Sequence, residues 1–312
     1  MIADRRPLDA TAFGLMTLLC LLWGVQQVVV KLTAPYMSLI MQGGVRSLLA
    51  VVLLLIWARA RGIPLFDRDG TLRPGLLAGF LFAVEFIFIY AGLEYTAASR
   101  LVVFLYLTPP LTALGLAWLV PGERLAPTQW LGVLVSFAGI VLAFSEGFFA
   151  ERESTWRGDV LALLAALCWA ATTVTVRSTA LARATATKTL FYQLAFAAAL
   201  MLVASPLLGE AGLIALTPGL VASIFYQGAI VAFASFLVWF WLLTKYLAAR
   251  LAVLSFMTPL FGVLAGVVIL DEPLTPLFAV AAALVAAGIV LVNIGTRGGA
   301  PAPSPAAAAD RR

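Results

Sequence analysis

The amino-acid sequence predicts an all-α integral membrane protein of ten transmembrane helices, built as two inverted five-helix repeats with both termini in the cytoplasm. Three observations carry that prediction. The first is composition: charged residues make up 11% of the 312 and hydrophobic residues 63%, against about 25% charged in a soluble domain. A water-soluble core of this size has no use for so much apolar side chain, so lipid must solvate most of it. The second is an echo. Thr108-Pro109-Pro110-Leu111, Gly122-Glu123-Arg124-Leu125 and Gly139-Ile140-Val141-Leu142 return as Thr258-Pro259-Leu260, Asp271-Glu272-Pro273-Leu274 and Gly288-Ile289-Val290-Leu291. The steps from Pro110 to Pro259, Glu123 to Glu272 and Gly139 to Gly288 are each 149 positions, and a similarity at fixed period means one structural unit used twice. The third is charge placement. With the N-terminus inside and ten spans, fifteen Lys and Arg fall in cytoplasmic segments and four on the other side, with Arg46 left inside a span. That is a strong positive-inside bias.

Ten stretches are apolar over the roughly 20 residues that cross a hydrocarbon core of about 30 Å. They run 12–33, 36–58, 74–94, 99–120, 128–145, 158–178, 187–207, 218–241, 249–270 and 275–295. The chain divides accordingly into a cytoplasmic N-terminus (1–11), a first repeat (12–145), an extracytoplasmic linker (146–157), a second repeat (158–295) and a disordered cytoplasmic tail (296–312). Five spans, an odd number, separate the two copies, so the second is inverted in the membrane. Inverted repeats are a design of secondary transporters, with the solute site near the midplane between them.

The first span follows Arg5 and Arg6 in the manner of a secretion signal, but Gln26 and Gln27 interrupt it and no small-residue cleavage site follows, so it reads as a retained helix. Trp23 precedes Lys31 by eight residues, and in the sixth span Trp169 precedes Arg177 by eight, an offset of 146 in both cases. Gln26 and Gln27 map at that offset onto Thr172 and Thr173, three and four residues after each tryptophan and hence on its helix face. Each unit thus presents an indole with hydrogen-bonding neighbours about 15 Å into its first helix.

The second and third spans hold the two ionisable groups at membrane depth, Arg46 and Glu85. Each costs about 2.5–3.5 kcal/mol on insertion scales unless paired or hydrated. Counting along the two helices puts both at about 15 Å. Two readings are open: an ion pair that locks two helices, or two handles for a zwitterionic solute. The second unit has no such charges, Tyr192 and Gln193 standing near the place of Arg46. Tyr90, Tyr106, Tyr226, Gln227 and Trp239 are further candidates at depth, each with the plainer reading of helix–helix contact. Trp118, Trp130 and Trp156 lie near span ends and read as interfacial anchors.

In the fourth and ninth spans Pro109, Pro110 and Pro259 fall about halfway along, where proline removes a bond and bends a helix. These are candidate gating points. Glu123 and Glu272, in the hinges that follow, are assigned to capping the next helix, with Pro127 and Pro276 in its first turn.

Taken together, Trp23-Gly24 with Lys31, Arg-x-Leu-Leu-Ala at Arg46–Ala50, Ala-Gly-Leu-x-Tyr-Thr-Ala-Ala-Ser at Ala91–Ser99 and the repeated Pro-Leu, Glu-x-Leu and Gly-Ile-Val-Leu series resemble the drug/metabolite transporter superfamily, specifically its EamA-type ten-helix exporters. The resemblance covers nearly the whole chain. It implies a multi-pass protein of the bacterial inner membrane that exports a small-molecule substrate by alternating access. Exporters of aromatic and other neutral amino acids are the nearest in kind. Aromatic faces with amide and hydroxyl neighbours suit a neutral, partly apolar solute; a broad-specificity drug exporter is the alternative, and a channel-like pore a more distant one.

Other classes find little support. The chain has no histidine, and no hydrolase motif, so it is not expected to be an enzyme. No cofactor or metal is expected. The net charge of +5 does not point to nucleic acid, because the basic residues flank membrane spans; the bilayer and the solute are the expected partners, and a monomer is compatible with the sequence.

Overall fold

A computed structural model describes residues 8–96, 98–120, 123–145, 156–271 and 276–294. Most of the predicted N-terminus, the predicted tail, most of the 146–157 linker and Glu272 lie outside these. The first unit comprises α1 (Ala10–Thr33), α2 (Leu39–Ala60), α3 (Leu72–Tyr95), α4 (Ala98–Leu105), α5 (Thr108–Leu119) and α6 (Pro127–Ala143). The second comprises α7 (Trp156–Ser178), a 3-10 turn at Ala180–Arg183, α8 (Ala186–Leu207), α9 (Pro218–Phe225), a π-helix (Tyr226–Ser235), α10 (Phe236–Lys245), α11 (Ala248–Leu254), α12 (Met257–Leu270) and α13 (Pro276–Ile294). Among the described residues nine helical spans are long and apolar enough to cross a membrane, and α6 is an apolar helix of 17 residues.

The duplication is visible in the backbone. Helix starts at 10, 39, 72, 108 and 127 return 146 to 149 positions later at 156, 186, 218, 257 and 276. Equivalent helices also run in opposite directions. Gly132 of α6 lies against Gly288 and Val292 of α13, and Gly139 against Ala281 and Val285, an antiparallel pairing. A methyl on Gly132 would stand 2.6 Å from the Gly288 carbonyl, so the repeated glycines of the echo serve this close approach, as small residues do between membrane helices. Gln129 Nε2 donates to the Val292 carbonyl at 3.0 Å across the same seam. In the middle of the molecule α3 and α8 run parallel, with Gly75 against the Tyr192 ring and Gly79 against Phe196, while α2 runs against α3, with Gly43 facing Tyr90. Equivalent helices α2 and α8 are therefore antiparallel.

Each unit caps the other. Glu210, after α8, accepts from Ser38 Oγ and from the amides of Ile40 and Met41 at 2.9, 3.0 and 3.1 Å, closing the start of α2. Asp67 and Asp69, after α2, hold the buried Lys188 ammonium in the first turn of α8.

Three spans depart from single α-helices. The fourth breaks between α4 and α5 and the ninth between α11 and α12, in each case just before the prolines. Proline carries no N–H, and the carbonyl that Pro109 leaves unmet, Leu105, accepts instead from the Thr108 hydroxyl at 2.7 Å. In the ninth span the Ser255 carbonyl accepts from Thr258 N at 2.9 Å. The eighth span carries ten residues of π-helix, longer than the single-turn bulges usual for that conformation, and nothing in the sequence predicts it. Gly228 of the π-helix seats on α2, where a methyl would stand 2.7 Å from Leu49 and 3.1 Å from the Arg46 carbonyl.

Candidate functional site

Arg46 and Glu85 are brought to the same level between α2 and α3. Arg46 is 1% exposed, with its guanidinium carbon 4.4 Å from the centroid of the Phe86 ring, the residue next to Glu85. Glu85 is 5% exposed. They form no ion pair with each other: Arg46 Nε and Nη1 and Glu85 Oε2 are buried with no hydrogen-bond partner. Buried charges are ordinarily paired because an unmet one is costly. Of the two sequence readings, the locked ion pair is not formed: the two side chains lie at one level without a hydrogen bond between them. The face of Phe86 beside them offers an apolar, cation-tolerant wall.

Aromatic clusters from both units flank this level. Trp23 Nε1 donates to Ser235 Oγ at 2.9 Å, and its ring meets Phe236 and Trp239 edge-on at 5.9 and 5.8 Å. Its repeat equivalent, Trp169, meets Tyr106 edge-on at 6.2 Å, and Tyr106 tilts over Phe256 at 6.0 Å. Each tryptophan thus packs against the broken or π-distorted span of the other repeat.

The remaining sequence candidates sort themselves. Gln26 is buried and Gln27 exposed, so the polar pair does not act from one place. Tyr90 packs beneath Phe86, ring centroids 6.0 Å apart, and against Gly43. The Thr172 hydroxyl donates back to the Cys168 carbonyl at 2.9 Å, and Thr173 to that of Trp169 at 3.3 Å, within their own helix. Tyr192, the seventh residue of α8, stands one residue before the place that Arg46 holds in α2, its hydroxyl 3.1 Å from Thr71 Oγ1 and its ring against Gly75. Gln193 is fully buried, with neither amide atom partnered. Tyr226 donates to the Leu22 carbonyl at 2.9 Å, tying the π-helix to α1.

Gln227 belongs to a polar knot that sequence reasoning finds only in part, its Oε1 left without a partner. Its Nε2 donates to Gln42 Oε1 at 3.0 Å and to Ser223 Oγ at 2.9 Å, and the Thr33 hydroxyl donates to Gln42 Oε1 at 3.1 Å and lies 3.1 Å from Ser223 Oγ. This joins α1, α2 and the eighth span near one end of the molecule. Gln42 carries its own signal, since an amide inside an apolar span needs a partner.

At the opposite end Glu123 corrects its assignment. Its carboxylate does not cap the following helix; it is 2% exposed, paired with Arg177 of α7, and accepts from the Ala248 and Ala249 amides at 3.3 and 3.4 Å. It caps α11, in the other unit. The start of α6 is served otherwise, by Gln129 Oε1, which accepts from Ala126 N at 2.8 Å, and by Pro127 in the first turn. Arg177 also donates to the Leu243 carbonyl at 3.3 Å. A signal for this contact lies in the repeats: the basic residue ending each first helix and the acid of each hinge recur together. The capping expected of Glu272 lies outside the described residues.

An apolar, duplicated helical bundle with an unpartnered arginine and acidic side chain buried between its helices, and no chemistry-bearing cluster among the described residues, is the form of a membrane transporter. The family model of the EamA-like transporter family matches residues 11–145 and again 156–294, and the chain belongs to that family; it is a transporter and not an enzyme. It is 27% identical over 288 residues to an uncharacterized transporter, YvbV, of Bacillus subtilis, covering 92% of each chain. It is 23% identical over 291 residues to a probable amino-acid metabolite efflux pump of Escherichia coli, covering 91% of this chain and 95% of that one. A solved crystal structure shares the fold with a TM-score of 0.78 at 20% identity, covering 93% of this chain and 99% of the other.

Proposed function

We propose that the protein exports neutral amino acids, aromatic or branched, across the bacterial inner membrane by alternating access, through ten spans with both termini in the cytoplasm. The observation that carries this reading is the pair of unmet, opposite charges at one level, Arg46 and Glu85, against the Phe86 face. A carboxylate suits the guanidinium and an ammonium suits the carboxylate, so an amino acid satisfies both groups and leaves the site neutral. The name of the Escherichia coli relative, a probable amino-acid metabolite efflux pump, agrees with that chemistry.

The antiparallel halves supply the two interchangeable units that alternating access needs. The Glu123–Arg177 contact and the Gln42–Gln227 knot join them at opposite ends, and the proline breaks at Pro109, Pro110 and Pro259 provide places to bend. A second reading, a broad organic-solute exporter, is favoured by the aromatic clusters around Trp23 and Trp169. Expression in bacteria sensitive to toxic amino-acid analogues and to cationic dyes separates the two. The amino-acid reading predicts protection from the analogues alone, lost in Arg46→Met and Glu85→Gln at equal protein level; protection from dyes, or analogue resistance unchanged in both variants, rules it out.

A further inference from the structure

Arg46 and Gln193 hold the same place in the two units. Counted from Leu39 and Ala186, each is the eighth residue of its helix, since 46 − 39 and 193 − 186 both equal 7. Because α2 and α8 run in opposite directions, seven rises of 1.5 Å set each about 10 Å from opposite ends of the bundle. Gly44 of α2 abuts Leu202 of α8, so Arg46 stands near the level of residue 200, and Gln193 lies about 10 Å further toward the start of α8. In the proposed topology that start is cytoplasmic.

Gln193 is 0% exposed, and both its Nε2 and its Oε1 lack partners. An amide offers donors at one end and an acceptor at the other, and burying both unmet is a standing cost that a membrane interior does nothing to relieve. The chemistry left open is informative. A cation would use Oε1 only and an anion Nε2 only, whereas the head of a zwitterion brings ammonium donors and carboxylate acceptors and uses both. Arg46 with Glu85 makes the same offer in charged form, one level further out.

We propose that Gln193 is the substrate contact of the cytoplasmic half of the pathway, the inverted equivalent of Arg46, receiving the zwitterionic head of an amino acid on its way to the Arg46–Glu85 level. The inference rests on the reading of Arg46 and Glu85 as substrate contacts. An uncharged amide suits a first contact, since it offers directional bonds without the strong hold of a charge. The inversion makes the contact sided: the loss of Gln193 acts on substrate arriving from the cytoplasmic face, and the loss of Arg46 on both steps.

The test is exchange of labelled phenylalanine, tryptophan and leucine in proteoliposomes that hold the full chain in one orientation, with half-saturation measured separately at each face for wild type and Gln193→Met. Methionine fills a similar volume with no unmet polar atom. The expected result is a half-saturation concentration raised about tenfold at the cytoplasmic face, a change under about twofold at the other, and a melting temperature equal to or above that of wild type. Unchanged half-saturation at both faces, an equal rise at both, or a lowered melting temperature overturns the assignment, the last because it makes the amide a packing group. Wild type that exchanges none of the three amino acids overturns the Arg46–Glu85 reading and this one with it, whereas exchange by wild type matched by the variant overturns this one alone.

Discussion

The two five-helix units follow one backbone plan and fill its centre differently. The first places a guanidinium and a carboxylate, Arg46 and Glu85, at membrane depth; the second has the neutral Gln193 at the place of Arg46 and a π-helix where the first has the regular α3. At the end of the bundle the dependence is reversed, for Glu123 of the first unit is buried against Arg177 and the Ala248 and Ala249 amides of the second. Backbone symmetry thus sets the moving parts, and departures from it set what they hold.

The largest effect expected from disturbing this relation is at the Glu123–Arg177 contact. Removing one member of a buried pair leaves an uncompensated charge, a loss of about 3–5 kcal/mol. Glu123→Gln should therefore sharply lower the melting temperature of the purified protein in detergent, and Glu123→Gln with Arg177→Met should recover most of it. A single variant as stable as wild type would mean that the two units are not joined there.

Next comes the centre. Arg46→Met should cost about 2–3 kcal/mol of transition-state binding, roughly 30- to 150-fold in transport kcat/KM, on the scale of hydrogen bonds to charged groups. Because Arg46 has no intramolecular hydrogen-bond partner at Nε or Nη1, its removal should leave the melting temperature level or raised, opposite to the Glu123 variant. Measuring both quantities on both variants separates a solute site from a structural joint.

Gly228→Ala tests the seat of the π-helix on α2. The added methyl meets Leu49 at 2.7 Å and the Arg46 carbonyl at 3.1 Å, and overpacking of this sort costs about 1–3 kcal/mol. Transport should fall through displacement of Arg46, and Leu49→Ala in the same chain should restore part of it.

The smallest effect concerns acid stability at the Asp69–Lys188 contact. Hydrogen bonds from Thr71 and Lys188 hold the Asp69 carboxyl below the usual carboxylate range. A lowered folded value means that its stabilisation is present above the unfolded value of about 3.9 and is lost as pH falls through the folded one. Unfolding of wild type and Asp69→Asn should differ by a constant amount from pH 5 to 8, and the curves should converge below about pH 4.

Much of this fold is legible in the amino-acid sequence. Apolar length gives the spans, because lipid penalises polar side chains within them, and the echo gives the duplication, because a fixed period marks one unit used twice. Arg46 and Glu85 are legible for the same reason: a charge in an apolar span stands out. Gln42, the Glu123–Arg177 contact and the π-helix are harder to see. Glu123 and Arg177 look in sequence like ordinary hinge and flanking residues, and only tertiary packing across the units buries them together. The π-helix, with Gly228 seated on α2, has no local pattern that encodes it.

The central claim is that Arg46 and Glu85 together select a zwitterion. The direct measurement is competition against labelled phenylalanine exchange in proteoliposomes by unlabelled phenylalanine, by its carboxamide and by phenylpropionate, which lack the carboxylate and the ammonium respectively. Inhibition by phenylalanine, with the other two at least about tenfold weaker, is the predicted result. Equal inhibition by either analogue would show that one of the two charges plays no part in recognition and would contradict the account.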